Sequence, residues 1–131
     1  MSQKKFRAND HDLVLTFLFD AATAVDRDAF IADRPYRLRS VERSFGTASA
    51  SGQLDLRKCT GTTAPASGTS MLNGALALTG TANSVSAATL SGTASSLLLA
   101  DGDRIGFDFV GTVTNLVGLA VTVVLRPTDI R

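Results

Sequence analysis

The first apolar run, Leu13-Val14-Leu15-Thr16-Phe17-Leu18-Phe19, sets Leu13, Leu15, Phe17 and Phe19 on one side at a period of two. Its aromatic and β-branched content favours a strand over a helix. Ala21 to Ala29 is rich in Ala and Asp and reads as one helical turn or a loop. Phe30-Ile31-Ala32 is a short apolar segment stopped by Asp33-Arg34-Pro35. Tyr36 and Leu38 then face one way, with Arg37 and Arg39 opposite. The apolar parity changes afterwards to Val41 and Phe45, which predicts a β-bulge near Ser40. From Gln53 to Lys58, Leu54 and Leu56 alternate inward against outward Asp55 and Arg57. Thr60 to Gly68 is a loop by composition. Leu72, Leu76 and Leu78 fit either a strand or a short helix, and Val85 to Leu90 fits a strand. Leu97-Leu98-Leu99 meets Arg104 to Phe109 across Ala100-Asp101-Gly102-Asp103, and the Asp-Gly pair predicts a hairpin turn. Ile105, Phe107 and Phe109 are expected inward, with Gly106 and Asp108 outward. Leu119 to Leu125 alternates once more before Arg126-Pro127.

Roughly eight short strands separated by turn signals describe an all-β chain. The expected organisation is a single β-sandwich or jelly-roll domain over residues 13–131, behind a flexible N-terminal arm, residues 1–12. Its core is expected to include Leu15, Phe17, Leu54, Leu56, Ile105, Phe107, Phe109, Val121 and Val123.

Composition narrows the function classes. A chain of 131 residues suits one domain with a core of its own. A formal net charge of +1 gives no overall pull toward nucleic acid or an anionic membrane. No apolar run has the roughly 18 residues of a spanning helix, and Met1 to Phe6 is followed by no apolar core of a signal peptide. One cysteine allows no intrachain disulfide. The charges are unevenly spread: from Cys59 to Ala100 there is no Asp, Glu, Lys or Arg. Met71, Leu72, Leu76, Leu78, Val85, Leu90 and Leu97 to Leu99 recur there too densely for a solvated linker. The stretch therefore reads as packed, with a neutral, hydroxyl-rich outer face that can meet another subunit without desolvating charge.

Few residues offer chemistry. Gly68 is followed by Thr69, and no lysine lies downstream of Lys58, so the Gly61 to Ser70 loop is not a phosphate-binding loop. Asp101, Asp103 and Asp108 lack the remaining ligand positions of a calcium loop and read as a solvated hairpin. His11, the sole histidine, lies beside Asp10 and Asp12 with no nucleophile near it in sequence and reads as a surface residue. Nothing local activates Cys59. Arg34, Arg37, Arg39 and Arg43 form the densest basic cluster, diluted by Asp33 and Glu42, and suit an ion-pairing face better than nucleic acid. No catalytic, cofactor-binding or metal-binding residue is expected.

Several segments together carry a resemblance. They are Ala32-Asp33-Arg34-Pro35-Tyr36, Lys58-Cys59-Thr60-Gly61-Thr62-Thr63-Ala64-Pro65-Ala66-Ser67-Gly68-Thr69, Gly80-Thr81-Ala82-Asn83 and Leu99-Ala100-Asp101-Gly102-Asp103-Arg104-Ile105. From about Phe30 to Pro127 the chain resembles the decoration proteins (cement or head-fibre proteins) of tailed-bacteriophage capsids. The Thr-Gly-Thr-Thr-Ala-Pro-x-Ser-Gly-Thr loop is the most specific element. The resemblance implies a virion structural protein without enzymatic activity, made in the host cytoplasm. It would bind the outer surface of the capsid as a homotrimer and stabilise it. The partners expected are the major capsid protein and further copies of the chain, with no nucleic acid, membrane or small-molecule substrate and no cofactor. Lys4, Lys5, Phe6, Arg7, Arg34, Arg37 and Arg39 are the capsid-contact candidates. The alternative reading is a receptor- or glycan-binding β-sandwich module of a phage head or tail fibre.

Overall fold

A computed structural model of the chain describes residues 11–129. The described part is all-β, apart from short 3₁₀ turns at Ala21–Thr23, Pro65–Ser67 and Ala94–Leu97. The strands are β1 (Leu13–Phe19), β2 (Arg27–Ile31), β3 (Tyr36–Ser44), β4 (Gln53–Cys59), β5 (Thr69–Ser70), β6 (Leu76–Ala77), β7 (Ser86–Ala87), β8 (Leu98–Leu99), β9 (Arg104–Val110) and β10 (Leu119–Pro127). They form two antiparallel sheets packed face to face. One runs β1-β10-β3-β7 with β8 also on β3; the other runs β2-β9-β4-β5 with β6 also on β4. Counting β5 and β6 as one broken strand, and β7 and β8 as another, leaves the strand order of an eight-stranded jelly roll.

The alternation read from the sequence builds the core. Leu38, Val41, Phe45, Val121, Val123 and Leu125 from the first sheet meet Leu54, Leu56, Ile105 and Phe107 from the second, and all are buried. Leu15, Phe17 and Phe109 pack against this core while remaining partly exposed. Phe107 sits among aromatic neighbours, edge-on to Phe17 with centroids 5.0 Å apart and to Phe19 at 5.3 Å. The bulge falls at Arg39: Val124 faces Ser40 and Leu125 faces Leu38, so one residue of β3 is skipped. That skip lets Leu38 and Val41 share the core face. The charge-free stretch is packed, with Met71, Leu72, Leu76, Leu78, Leu97 and Leu99 all buried.

Four local expectations change. The segment after β1 is a single 3₁₀ turn, and β2 already begins at Arg27 because its backbone pairs with β9, Arg27 facing Phe107 and Ile31 facing Arg104. The strand expected over Val85 to Leu90 shortens to Ser86–Ala87, with an isolated bridge from Leu90 to Leu72. The Asp-Gly turn is present, with Gly102 at φ +89° and the Asp103 N–H donating to the Ala100 carbonyl at 3.0 Å. It does not close a hairpin, because β8 pairs with β3 while β9 pairs with β2 and β4. The turn instead carries the chain from one sheet to the other, and Ala32 fixes it by exchanging backbone hydrogen bonds with Gly102 and Asp103, each 2.8 Å. Finally, Asp55, Gly106 and Asp108 are buried although their parity is outward.

Asp55 and Asp108 are shielded by Arg57, which lies 3.0 and 3.2 Å from them, and at Gly106 the loop before β5 folds back over the outer face of β4 and β9. A Cβ placed on Gly106 would lie 2.8 Å from Pro65 Cβ, and one placed on Gly68 would lie 2.7 Å from the Lys58 carbonyl oxygen. Two arginines hold the loop by its carbonyls. Arg104 donates to Gly61 O at 3.0 Å and Thr63 O at 2.7 Å, and Arg57 donates to Gly68 O at 2.8 Å. The Pro and second Gly of the loop are therefore there for close packing.

Candidate functional site

Among the described residues the outer face of the other sheet has no such cover. Its strand registers line up in rungs: Val14, Val124 and Ser40; then Thr16, Thr122 and Glu42; then Leu18, Ala120 and Ser44. Val14 is 60% exposed and Leu18 75%, and Val85, following the same face beyond β3, is 66% exposed. Thr16 and Thr122 share a hydroxyl hydrogen bond of 3.0 Å, which satisfies both within the face. A shallow depression lined by Glu42, Arg43, Ser44, Val85, Ala120 and Thr122 indents it. Glu42 is the one charged side chain in these three rungs, and among the described residues it makes no ion pair. An exposed strip of this kind is the usual mark of a protein interaction surface.

Basic residues gather at one end of the face. Arg37 stands directly across from Arg126 in the register, and both are exposed. Arg39 is exposed at the bulge. Arg126 has Asp12 at 3.3 Å, whereas Arg37 and Arg39 ion-pair with nothing among the described residues. Like charges set directly opposite one another are unfavourable, and Asp12 offsets only the Arg126 member of the pair.

The four arginines grouped by sequence thus separate. Arg37 and Arg39 stay together on the open face. Arg34 is turned aside and held by Asp129 through its Nε at 2.8 Å and through Nη2. Arg43 is inward, because the bulge gives it the parity of Val41 and Phe45. Its guanidinium lies 4.5 Å from the Phe45 ring centroid and donates to the Ala77 carbonyl at 2.9 Å. Lys4, Lys5, Phe6 and Arg7 lie outside the described residues.

No family model, curated protein or solved structure matches this chain. Among the described residues no group of three or more His, Cys, Asp or Glu is arranged to hold a metal ion, and no helix is long and apolar enough to cross a membrane.

The acidic and basic groups of the covered sheet form a closed structural network. Arg57 lies between Asp55, at 3.0 Å, and Asp108, at 3.2 Å. Ser70 donates its hydroxyl to Asp55 at 2.8 Å, and Asp26 accepts the Phe109 N–H at 2.7 Å. Burial pushes the Asp108 carboxyl above the ordinary range, and the neighbouring Asp26 charge pushes the same way against the pull of Arg57. Asp108 therefore belongs to this network, apart from Asp101 and Asp103. Cys59 lies beneath the same loop, fully buried, and burial pushes its thiol up, away from the reactive thiolate. Tyr36 is buried and donates its hydroxyl to Asp33 at 2.8 Å; burial first, then that bond, raises its pKa to about 12.

Reading the sequence missed Glu42, Val85, Leu18 and Arg126 as members of one surface. A signal was present in β1, where Val14 and Leu18 are apolar on the outward parity as well. Such a run is apolar on both faces, the pattern of a strand covered on both sides.

Proposed function

We propose that this chain is a virion structural protein of a tailed bacteriophage, a decoration protein that binds the outer surface of the capsid as a homotrimer and stabilises it without turnover. The observation that carries the reading is the apolar face of the β1-β10-β3-β7 sheet, which none of the described residues covers. Covering Val14, Leu18 and Val85 gains about 1.5–3 kcal/mol for each side chain fully buried, before the entropy of association is subtracted. A jelly roll with a sealed interior and an open, nearly uncharged sheet face is suited to assembly, and cyclic homo-oligomers are a common way to bury such a face. A trimer that binds only the assembled shell stabilises that shell by mass action. The quoted loop and turn motifs, with their likeness to capsid decoration proteins, supply the choice of shell.

The sugar-binding alternative has little support from the aromatic residues: the chain has no Trp, and its one Tyr, Tyr36, is buried. Two measurements test the proposal. Light scattering coupled to size exclusion is expected to give about three chain masses at micromolar concentration. Mass spectrometry of purified virions is expected to find the chain in a fixed ratio to the major capsid protein. A monomer that is absent from virions overturns the reading.

A further inference from the structure

Resting on the homo-oligomer reading, we infer that the open sheet face is a head-to-tail interface between copies in which Glu42 of one copy receives Arg37 or Arg39 of the next. The acid and the bases lie on one face and one strand, β3, yet they form no ion pair within the described chain. Glu42 is set in the depression lined also by Arg43, Ser44, Val85, Ala120 and Thr122, the Arg43 guanidinium being turned inward over Phe45 and onto the Ala77 carbonyl. Its immediate neighbours across the sheet are Thr122 and Ala87, neither of which can neutralise it. The depression offers apolar walls for the stem of an arginine and a carboxylate for its guanidinium, the combination that suits this side chain. The complementary group is present on the same surface, in the unpaired Arg37 and Arg39 beside the opposed Arg126. A second copy brings both halves together. In a closed ring each copy gives Glu42 to one neighbour and its arginines to the other, while Val14, Leu18 and Val85 are covered between them.

The test is a charge swap on the full chain. Glu42→Arg alone, and Arg37→Glu with Arg39→Glu, each place like charges in contact and are expected to raise the dissociation constant at least about tenfold by sedimentation equilibrium. The triple variant carrying all three changes is expected to return it to within about threefold of the unmodified protein, because the attraction is restored with its sign inverted. These side chains are exposed, so unfolding midpoints at a single low concentration serve as the check that each variant folds. If the unmodified protein is a trimer and the reversals leave its dissociation constant unchanged, the pairing is overturned while the decoration reading stands. If both reversals dissociate the trimer and the triple variant does not recover, the pairing is likewise overturned. Reversal variants that stay trimeric but no longer occupy capsids would assign the face to the capsid and overturn the pairing. An unmodified protein that is monomeric overturns the homo-oligomer reading itself.

Discussion

Replacing Phe107 by Ala is expected to remove about 4–5 kcal/mol of stability. The ring is fully buried, and its transfer from water is worth up to about 3 kcal/mol. It also makes edge-to-face contacts with Phe17 and Phe19, interplanar 86° and 75°, each worth about 0.5–1.5 kcal/mol beyond the area covered. The sum falls near the top of the usual cost of about 3–5 kcal/mol for such a truncation. Little relaxation is available to lower it. Phe107 faces Leu56 in the β4 ladder and Arg27 in the β2 ladder, so backbone pairing on both sides keeps the walls of the cavity apart. Phe109 provides the internal comparison. It is partly exposed and meets Phe19 alone among the described rings, edge-on with centroids 5.1 Å apart, and its truncation is expected to cost about half as much.

Urea unfolding followed at one fixed protein concentration measures both, since an associating chain has a concentration-dependent midpoint. An unchanged slope with a lowered midpoint would place the effect in the folded state. A loss below about 2 kcal/mol for Phe107→Ala, or an equal loss for Phe109→Ala, would refute the assignment of the aromatic cluster as the centre of the core.

Three other outcomes follow from the described geometry. Gly106→Ala puts a methyl group 2.8 Å from Pro65 Cβ and is expected to cost about 1–3 kcal/mol in thermal or urea unfolding; an unchanged midpoint would mean that the loop is not clamped there. The carboxyl of Asp108 holds its proton to higher pH in the folded state than in the unfolded chain, so its contribution to stability falls as pH rises from the ordinary carboxylate range through the raised value. Asp108→Asn is expected to flatten that slope on the alkaline side of the ordinary carboxylate range, and parallel profiles for the two proteins would refute it. Tyr36 is the only tyrosine, so tyrosinate absorbance titrates it alone. A midpoint near 12 is expected in the folded protein, with stability falling as pH rises from 10 toward that value, and a midpoint at 10 would count against its burial against Asp33.

Period-two alternation located β1, β3, β4, β9 and β10 and named most of the core, because each long strand has one face on that core. The parity change between Leu38 and Val41 was enough to find the bulge. Segments with two-residue strands were hard to read, since Ser86–Ala87 and Leu98–Leu99 are strands only through pairing with β3, a distant partner. The same limit explains the misread hairpin: an Asp-Gly turn sets the local backbone, and which sheet receives each arm depends on strands elsewhere. Outward positions were legible only where solvent is the neighbour. Gly106 looked solvated because the loop that covers it is distant in sequence and carries no charge to announce a partner, and Asp55 and Asp108 looked solvated because their pairing with Arg57 follows only from the strand register. For the candidate surface, Arg37 and Arg39 were visible as a pair. Glu42 and Arg126 join them only through the β10 register, and Arg34 and Arg43 leave the group for reasons of local geometry.

The two sheets treat their outer faces in opposite ways. On the β2-β9-β4-β5 sheet the chain supplies its own cover, a loop whose Pro65 rests on Gly106 and whose carbonyls are taken up by Arg57 and Arg104. Every ionisable group drawn beneath it has a partner of opposite charge or a hydrogen bond. On the β1-β10-β3-β7 sheet the described chain supplies none, and the residues left there are valine, leucine, alanine, serine and threonine beside the Arg126–Asp12 pair and beside Glu42, Arg37 and Arg39, which do not reach each other. β1 adds to the problem: it is seven residues long, uncharged, free of proline, and paired among the described strands with β10 alone. An exposed edge of that kind invites uncontrolled pairing in a protein that lives as a monomer. Soluble chains suppress the hazard with charge, proline or a bulge on the edge, and β1 has none of these. The unpaired charges also argue against indiscriminate association, since a surface meant only to collapse needs no acid in one place and bases two rungs away. Exposed apolar area provides the attraction, and the separated charges restrict it to one register. A specific second copy satisfies both, which is why assembly is the reading that accounts for the whole face.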